Sequence, residues 1–378
     1  MFLTNIQGSP SLELVYLVLD KKARGEEVVS LAIGDPSFNT PKEIVDVACQ
    51  AMRAGDVHYV GSYGTLEVRE AIKNKVRRKN GINAELENCI FLTTKLAVYA
   101  SLMSVSETPF DALIPDPGYF YSESVILAGG TPIRYALNPD FSLNIDAIKQ
   151  TITPKTKALV INTPSNPTGK VLRSGELSEL YNLCKERGIF IITDEAYEDL
   201  VYEGTHFSIG SLEPKPDIVV SIFSFSKSYS MTGWRAGYVV AGPKVIPLIN
   251  KLLEHTMSCF SPFIEKACSY ALNNCESSIL EFRRGYKERR DLLTEKINEI
   301  PELEAAPIEG AFYAFPKFKS NTNSMDFAKE LLQKQNAAVL PGIVFGPRGE
   351  NHMRLSFSVS NEDIEEGMKR IQRFFKEQ

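Results

Sequence analysis

Residues 221–242 read SIFSFSKSYSMTGWRAGYVVAG. The run 218–223 is apolar, β-branched and aromatic over a strand's length, which predicts a buried strand. It leads straight into Ser224, Ser226 and Lys227, then a glycine-bearing turn with Trp234 and Arg235, then a second apolar run, 236–241. Taken alone, Lys227 also fits a solvated lysine at a strand end. In a buried setting its charged form is disfavoured, and a neutral amine is what Schiff-base formation with a carbonyl requires. The spelling at 224–227 fits the S-x-x-K of penicillin-recognising serine enzymes too, but neither S-D-N nor K-T-G occurs in the chain.

Upstream the same punctuation repeats. Strand-like runs at 112–114, 158–161 and 189–193 end in Pro-Asp-Pro-Gly-Tyr (115–119), Asn-Thr-Pro-Ser-Asn-Pro-Thr-Gly (162–169) and Asp-Glu-Ala-Tyr (194–197). Leu177, Leu180, Tyr181 and Cys184 share one helical face, so 175–187 is predicted as a helix stopped by Gly188. Further short strands are read at 90–92 and 133–135. Thr93 and Thr94 stand where a helix through Met103 would be capped, and a helix start can hold a phosphate. Strand, loop, helix, strand in repetition predicts an α/β fold with a mainly parallel sheet flanked by helices, whose ligands gather at the carboxyl ends of the strands. Tyr119, Asn166, Asp194 with Tyr197, and Lys227 each occupy such an end. That coincidence implies one shared site.

The flanking segments read differently. An apolar run at 28–33 precedes the loop GDPSFNTP (34–41), and HYVGSYG (58–64) precedes a helix with Val68, Ile72 and Val76 on one face. Beyond Pro262 come long polar helices such as 262–299 and short strands around 310–315 and 354–359. A last helix starts near Ser360 or Asn361, with Ile364, Met368, Ile371 and Phe375 on its apolar face. These segments predict a smaller α+β domain. The expected division is an N-terminal arm with part of that domain (1–40), a large domain (41–262) and a C-terminal small domain (263–378).

At 378 residues, 43% hydrophobic and 24% charged, the composition is that of an ordinary globular protein. A net charge of −5 argues against a nucleic-acid surface, and no apolar stretch is long enough to span a membrane. No signal peptide is recognisable at the N-terminus, so a cytoplasmic location is expected. The six cysteines form no C-x-x-C pair and are expected to be reduced. The four histidines show no ligand spacing, so no metal is expected. P-loop, G-x-G-x-x-G and G-x-S-x-G motifs are absent.

From about Leu31 to the last helix, the chain resembles the class I/II aminotransferases, pyridoxal-phosphate enzymes of fold type I. The motifs are LAIGDPSFNTP, HYVGSYGTLEVREAI, DPGY, NPTG, TDEAYEDLVY, SFSKSYSMTGWRAGY and MRLSF, in the family's order. The resemblance implies that pyridoxal 5'-phosphate is the cofactor and that Lys227 is its Schiff-base lysine and the acid/base for proton transfer at the substrate Cα. Asp194 would pair with the pyridine nitrogen, and Tyr197 and Asn166 with the ring's phenolic oxygen. Tyr119 would stack on the ring. Arg235, Ser224 and Ser226 would hold the phosphate, with Lys95 and Leu96 at the helix start. Arg354 would bind the substrate α-carboxylate, with Asn166 and the Gly34 backbone beside it. Tyr59 would reach the phosphate of a neighbouring subunit, which implies a homodimer with shared sites. The chain departs from the family at 93–96, Thr-Thr-Lys-Leu, where a glycine is usual after the threonine.

The implied activity is ping-pong transfer of an amino group from an L-amino acid to a 2-oxo acid, 2-oxoglutarate being the expected acceptor. β-Elimination by a C–S lyase on the same scaffold, and cofactor binding without catalysis, are the alternatives. The donor is unassigned. A dicarboxylate would need a second cation, for which Lys95 is a candidate; an aromatic donor could stack on Tyr63 or Phe38.

Overall fold

A computed structural model describes residues 10–106 and 109–377, with Ile6 and Gly8; the side chains of 10–13 lie outside the description. The first strands in chain order are β1 (Val29–Ser30), β2 (Cys89–Leu92), β3 (Phe110–Asp116), β4 (Gly130–Ala136), β5 (Thr156–Asn162), β6 (Phe190–Asp194), β7 (Val219–Ser224) and β8 (Gly237–Val240). All but β1 form a seven-stranded sheet in the order β2-β8-β7-β6-β5-β3-β4. Pairings from β7 to β4 are parallel, and β8 alone runs against its neighbours, β2 and β7.

The central strands read as unbroken apolar runs because both of their faces are covered. Ala158, Val160, Ile192, Val220 and Ile222 pack with Ala97 and Ala100 of the helix Thr94–Ser104. The alternate residues Leu159, Ile161, Ile191 and Val219 pack with Leu177, Leu180 and Cys184 of the helix Ser174–Arg187, which Gly188 ends in a left-handed turn. This period-two split places a helical layer on each side of the sheet. In register, Asn162 stands beside Asp194, and Asp194 beside Ile222, so the polar strand ends form one rim.

The remaining strands are short: β9 (Leu303–Glu304), β10 (Tyr313–Ala314), β11 (Lys317–Phe318), β12 (Ala337–Ala338), β13 (Leu340–Pro341) and β14 (Met353–Ser356). β14 lies between β10 and β13, both antiparallel to it, and β1 pairs in parallel with β12. The N-terminal segment thus joins the C-terminal part of the chain. Leu14, Val18 and Leu31 share a core with Phe312, Phe327, Ile364 and Phe374.

Two expectations shift. The polar stretch 262–299 is two helices, Pro262–Asn274 and Glu276–Asn298, broken at Cys275. The first packs Ala267, Cys268 and Ala271 against Ile44, Val68 and Ile72 of the helices Lys42–Ala54 and Leu66–Asn80, beside the large sheet. The second begins in that cluster at Ile279 and continues with Phe282, Tyr286 and Leu293 into the other core. In the last helix, Asn361–Lys376, Ser360 caps the start, and Phe374 rather than Phe375 completes the buried face of Ile364, Met368 and Ile371.

Candidate active site

β7 ends at Ser224, whose hydroxyl accepts the Ser226 N–H at 3.2 Å and starts the short helix Phe225–Ser228. That turn carries Lys227 inward. Its Nζ donates to the Gly34 carbonyl at 2.8 Å, with the rings of Phe312 and Tyr197 centred 5.2 and 5.9 Å away. Burial pushes the ammonium down from 10.5 to about 8; Asp35 opposes the shift, and Arg354 and Arg235 reinforce it. At neutral pH a usable fraction of the amine is therefore unprotonated.

Asp194 closes β6 and is buried. Tyr121 Oη donates to its Oδ2 at 2.9 Å and the Ala196 N–H to its Oδ1 at 3.2 Å. Burial raises its pKa, and these two bonds with the Lys95 charge oppose the rise. A cation placed against this carboxylate would offset its desolvation. Asn162 Nδ2 holds the Asp194 carbonyl at 2.8 Å, while its Oδ1 accepts the Asn166 N–H at 2.7 Å, so one side chain fixes two neighbouring loops.

Arg354 projects from β14. Its guanidinium donates to Asn166 Oδ1 at 3.0 Å and to the Ala32 carbonyl at 2.6 Å, and lies 4.3 Å from the centre of the Tyr313 ring. Its Nε is buried with no partner among the described residues. Tyr313 Oη is 3.0 Å from Tyr197 Oη. Gly34 is required here, because a Cβ would lie 1.9 Å from that Tyr313 oxygen.

One cavity of about 220 Å³ is lined by Lys227, Asp194, Tyr197, Asn166, Tyr119, Lys95, Ser224, Ser226 and Arg235. Gly34 and Arg354 reach it through their bonds to Lys227 and Asn166. Arg235 adopts a left-handed backbone (φ 59°), and its Nη1 donates to the Thr232 carbonyl at 2.6 Å. Lys95 Nζ sits 5.2 Å from the centre of the Tyr119 ring. β8 passes so close to the Thr94 helix start that a Cβ on Gly237 would fall 2.4 Å from Thr94 Oγ1.

Other placements differ from expectation. The Leu96 side chain is partly buried against the core and does not line the cavity; only its backbone belongs to the helix start, where the first return bond runs from Ala97 N–H to the Thr93 carbonyl. Tyr59 is no exception to expectation: at 89% exposed and outside this chain's own cavity, it stands where a neighbouring subunit could meet it. Phe38 is stacked on Phe282 at 4.7 Å, and Arg69 lies 5.3 Å over Tyr63, so neither ring lines the cavity. Tyr121 and Tyr313 were not anticipated. Neither role has a local signal, because each comes from a partner distant in the chain: Asp194 for Tyr121 and Tyr197 for Tyr313. Histidine spacing likewise gave no hint that ligand atoms of Glu195, Glu198 and His206 gather within 4.8 Å. The Lys75 ammonium already pairs with Glu198 there.

The donor set suits a small anionic aromatic cofactor. Two serine hydroxyls, a guanidinium and a helix start offer hydrogen bonds to phosphate oxygens, a buried carboxylate awaits a cation, and a depressed lysine awaits a carbonyl. The family model "Aminotransferase class I and II" matches residues 26–371, and the chain belongs to that family. It is a pyridoxal-phosphate-dependent aminotransferase of fold type I. It is 36% identical over 362 residues to aromatic-amino-acid aminotransferase 2 of Thermococcus litoralis, covering 93% of this chain and 92% of that one. It is also 36% identical to the aspartate aminotransferase of Pyrococcus abyssi, over 95% of each. Among solved structures, the aromatic aminotransferase of Pyrococcus horikoshii superposes with a TM-score of 0.91 (36% identity, 95% of this chain, 99% of that chain). Thermus thermophilus aspartate aminotransferase with maleate gives 0.94 (30% identity, 98% of each).

Proposed function

We propose that this aminotransferase takes the amino group of an acidic or aromatic L-amino acid and passes it to 2-oxoglutarate by a ping-pong cycle. The observation that carries the site assignment is the convergence of a depressed Lys227, a buried Asp194 and Arg235 on one cavity whose wall is bonded to Arg354. Pyridoxal phosphate, when bound, supplies a protonated ring that accepts the electron pair left at the substrate Cα.

The chain's own residues do the rest. Lys227 Nζ, as a free amine, would hold the cofactor through its aldehyde carbon with loss of water, and once the substrate amine had displaced it would carry the proton away from the substrate Cα and return it. Asp194, fixed by Tyr121 and Ala196, holds a proton on the ring nitrogen. Tyr197 and Asn166 would hold the phenolic oxygen, Tyr119 would stack on the ring, and Ser224, Ser226 and Arg235 would bind the phosphate with the backbone of the Thr94 helix start. Arg354, already aimed by Asn166 and Ala32, takes the α-carboxylate with its fork, which sets Cα over the lysine.

Lys95 is the cavity cation suited to a side-chain carboxylate, in keeping with relatives named aspartate aminotransferases. Tyr59 and its exposed loop are assigned to the neighbouring copy of a homodimer, and the protein to the cytoplasm. The domain division of 1–40, 41–262 and 263–378 is proposed with one change: the core packing favours keeping the helix Pro262–Asn274 with the large domain. No described helix is long and apolar enough to cross a membrane.

The test is to mix the holoenzyme with single amino acids and no oxo acid. One stoichiometric turnover that resumes on adding 2-oxoglutarate supports amino transfer. Continuous release of pyruvate and ammonia counts against it. Lys95→Ala should weaken L-aspartate and spare L-phenylalanine.

A further inference from the structure

The segment 342–349 crosses from β13 toward β14 and lies against the loop that carries Tyr119. Gly118 N–H donates to the Phe345 carbonyl at 2.9 Å, and the Phe120 ring stacks on Phe345 at 5.4 Å and 19°. One turn on, the Arg348 N–H donates to Asp116 Oδ1 at 3.1 Å, where β3 ends. Arg354 meets the same ring, its guanidinium 5.2 Å from the Phe345 centre. Phe345 is fully buried yet does not line the cavity.

Gly346 makes the seat possible. Its φ of 129° is a region side chains avoid, and a Cβ there would fall 2.3 Å from Asp116 Oδ1 and 2.7 Å from Arg134 Nη1. Any side chain at 346 therefore lifts the segment off the loop or pushes Asp116 away.

We propose that residues 342–349 are a strap that couples the Tyr119 loop to Arg354, with Phe345 and Gly346 as positioning residues. Phe345 braces the Arg354 guanidinium with one part of its ring and the Tyr119 loop with its carbonyl and stacking contact. A shift of the strap displaces both the ring-covering and the carboxylate-binding groups, although it touches neither ligand. The inference rests on the assignment of Arg354 to the α-carboxylate and Tyr119 to the ring.

The experiment is steady-state kinetics of the holoenzyme with L-aspartate and 2-oxoglutarate, for wild type, Arg354→Leu, Phe345→Leu, Gly346→Ala, Asp116→Ala and the Asp116→Ala/Gly346→Ala pair. A displaced carboxylate-binding group weakens substrate binding more than it affects the chemical step, so Phe345→Leu and Gly346→Ala should each raise the donor KM roughly tenfold while kcat changes much less. Removing Asp116 relieves the nearer of the two contacts that a Cβ at 346 would make, Arg134 remaining, so the pair should fall below the sum of its single effects. Asp116→Asn, which keeps the acceptor for Arg348, should restore what Asp116→Ala loses. If Arg354→Leu leaves KM unmoved, the assignment of Arg354 falls and the strap with it. If Arg354→Leu raises KM while Phe345→Leu and Gly346→Ala leave it within about twofold, on the same scale of effect, the strap alone is overturned. Phe345→Leu decides the matter should Gly346→Ala fail to fold.

Discussion

Replacing Lys227 by methionine should stabilise the cofactor-free protein at neutral pH and not at strongly alkaline pH. Burial lowers the Lys227 ammonium from 10.5 to about 8. At about 1.4 kcal/mol per pH unit, carrying that charge into the folded state costs about 3 kcal/mol at pH 7 and about 1 kcal/mol at pH 10. The sign follows from the depressed value of a base. The cost is complete below pH 8 and is relieved as pH rises toward 10.5, where the unfolded chain also loses its proton. Methionine matches the stem's volume but loses the bond to the Gly34 carbonyl, which offsets about 1 kcal/mol. The variant should therefore be more stable by about 2 kcal/mol at pH 7 and equal to wild type, within about 1 kcal/mol, at pH 10. Urea denaturation of both cofactor-free proteins at the two pH values measures it. An advantage that is larger at pH 10 than at pH 7 would refute the claim that Lys227 is buried with its charge disfavoured.

If Asp194 pairs with the ring nitrogen as proposed, Asp194→Asn loses a charge-assisted bond and should cut the rate of the donor half-reaction by roughly 10²-fold, seen by rapid-mixing absorbance. Arg354→Lys loses the fork that spans a carboxylate and should raise the donor KM by roughly tenfold or more with a smaller effect on kcat, in steady-state assays. Gly34→Ala forces a methyl to within 1.9 Å of the Tyr313 oxygen, so it should lower the thermal midpoint and raise KM together. Tyr313→Phe, which removes that oxygen, should recover part of both. The rate at which cofactor-free protein captures pyridoxal phosphate should climb as pH passes about 8 and then level off, because the attacking form is the neutral amine.

The central strands were legible because a strand buried on both faces is written as a continuous apolar run, as in β5, β6 and β7. The direction of β8 was not, since periodicity carries no direction; the link from Ser224 to Gly237 holds only short turns instead of a crossover helix, and the strand returns antiparallel. Cys275 breaks a helix without any Pro or Gly to announce it. In the cavity, the residues that stand at strand ends could be read from position. Tyr121, Tyr313 and the Phe345 strap could not, because their roles come from partners far away in sequence: Asp194 for Tyr121, Tyr197 for Tyr313, and Gly118 with Arg354 for Phe345. Leu96 shows the converse. It belongs to the expected helix start, yet its side chain packs against the core edge instead of lining the cavity.

The most direct measurement is the visible absorption of the purified protein with pyridoxal phosphate, before and after single amino acids, for wild type and Lys227→Ala. The expected result is a yellow chromophore that bleaches with an acidic or aromatic donor and returns with 2-oxoglutarate, and no donor-driven cycle in the variant. A protein that stays colourless with added cofactor, or a variant that cycles as wild type does, would overturn the assignment of Lys227 and its cofactor.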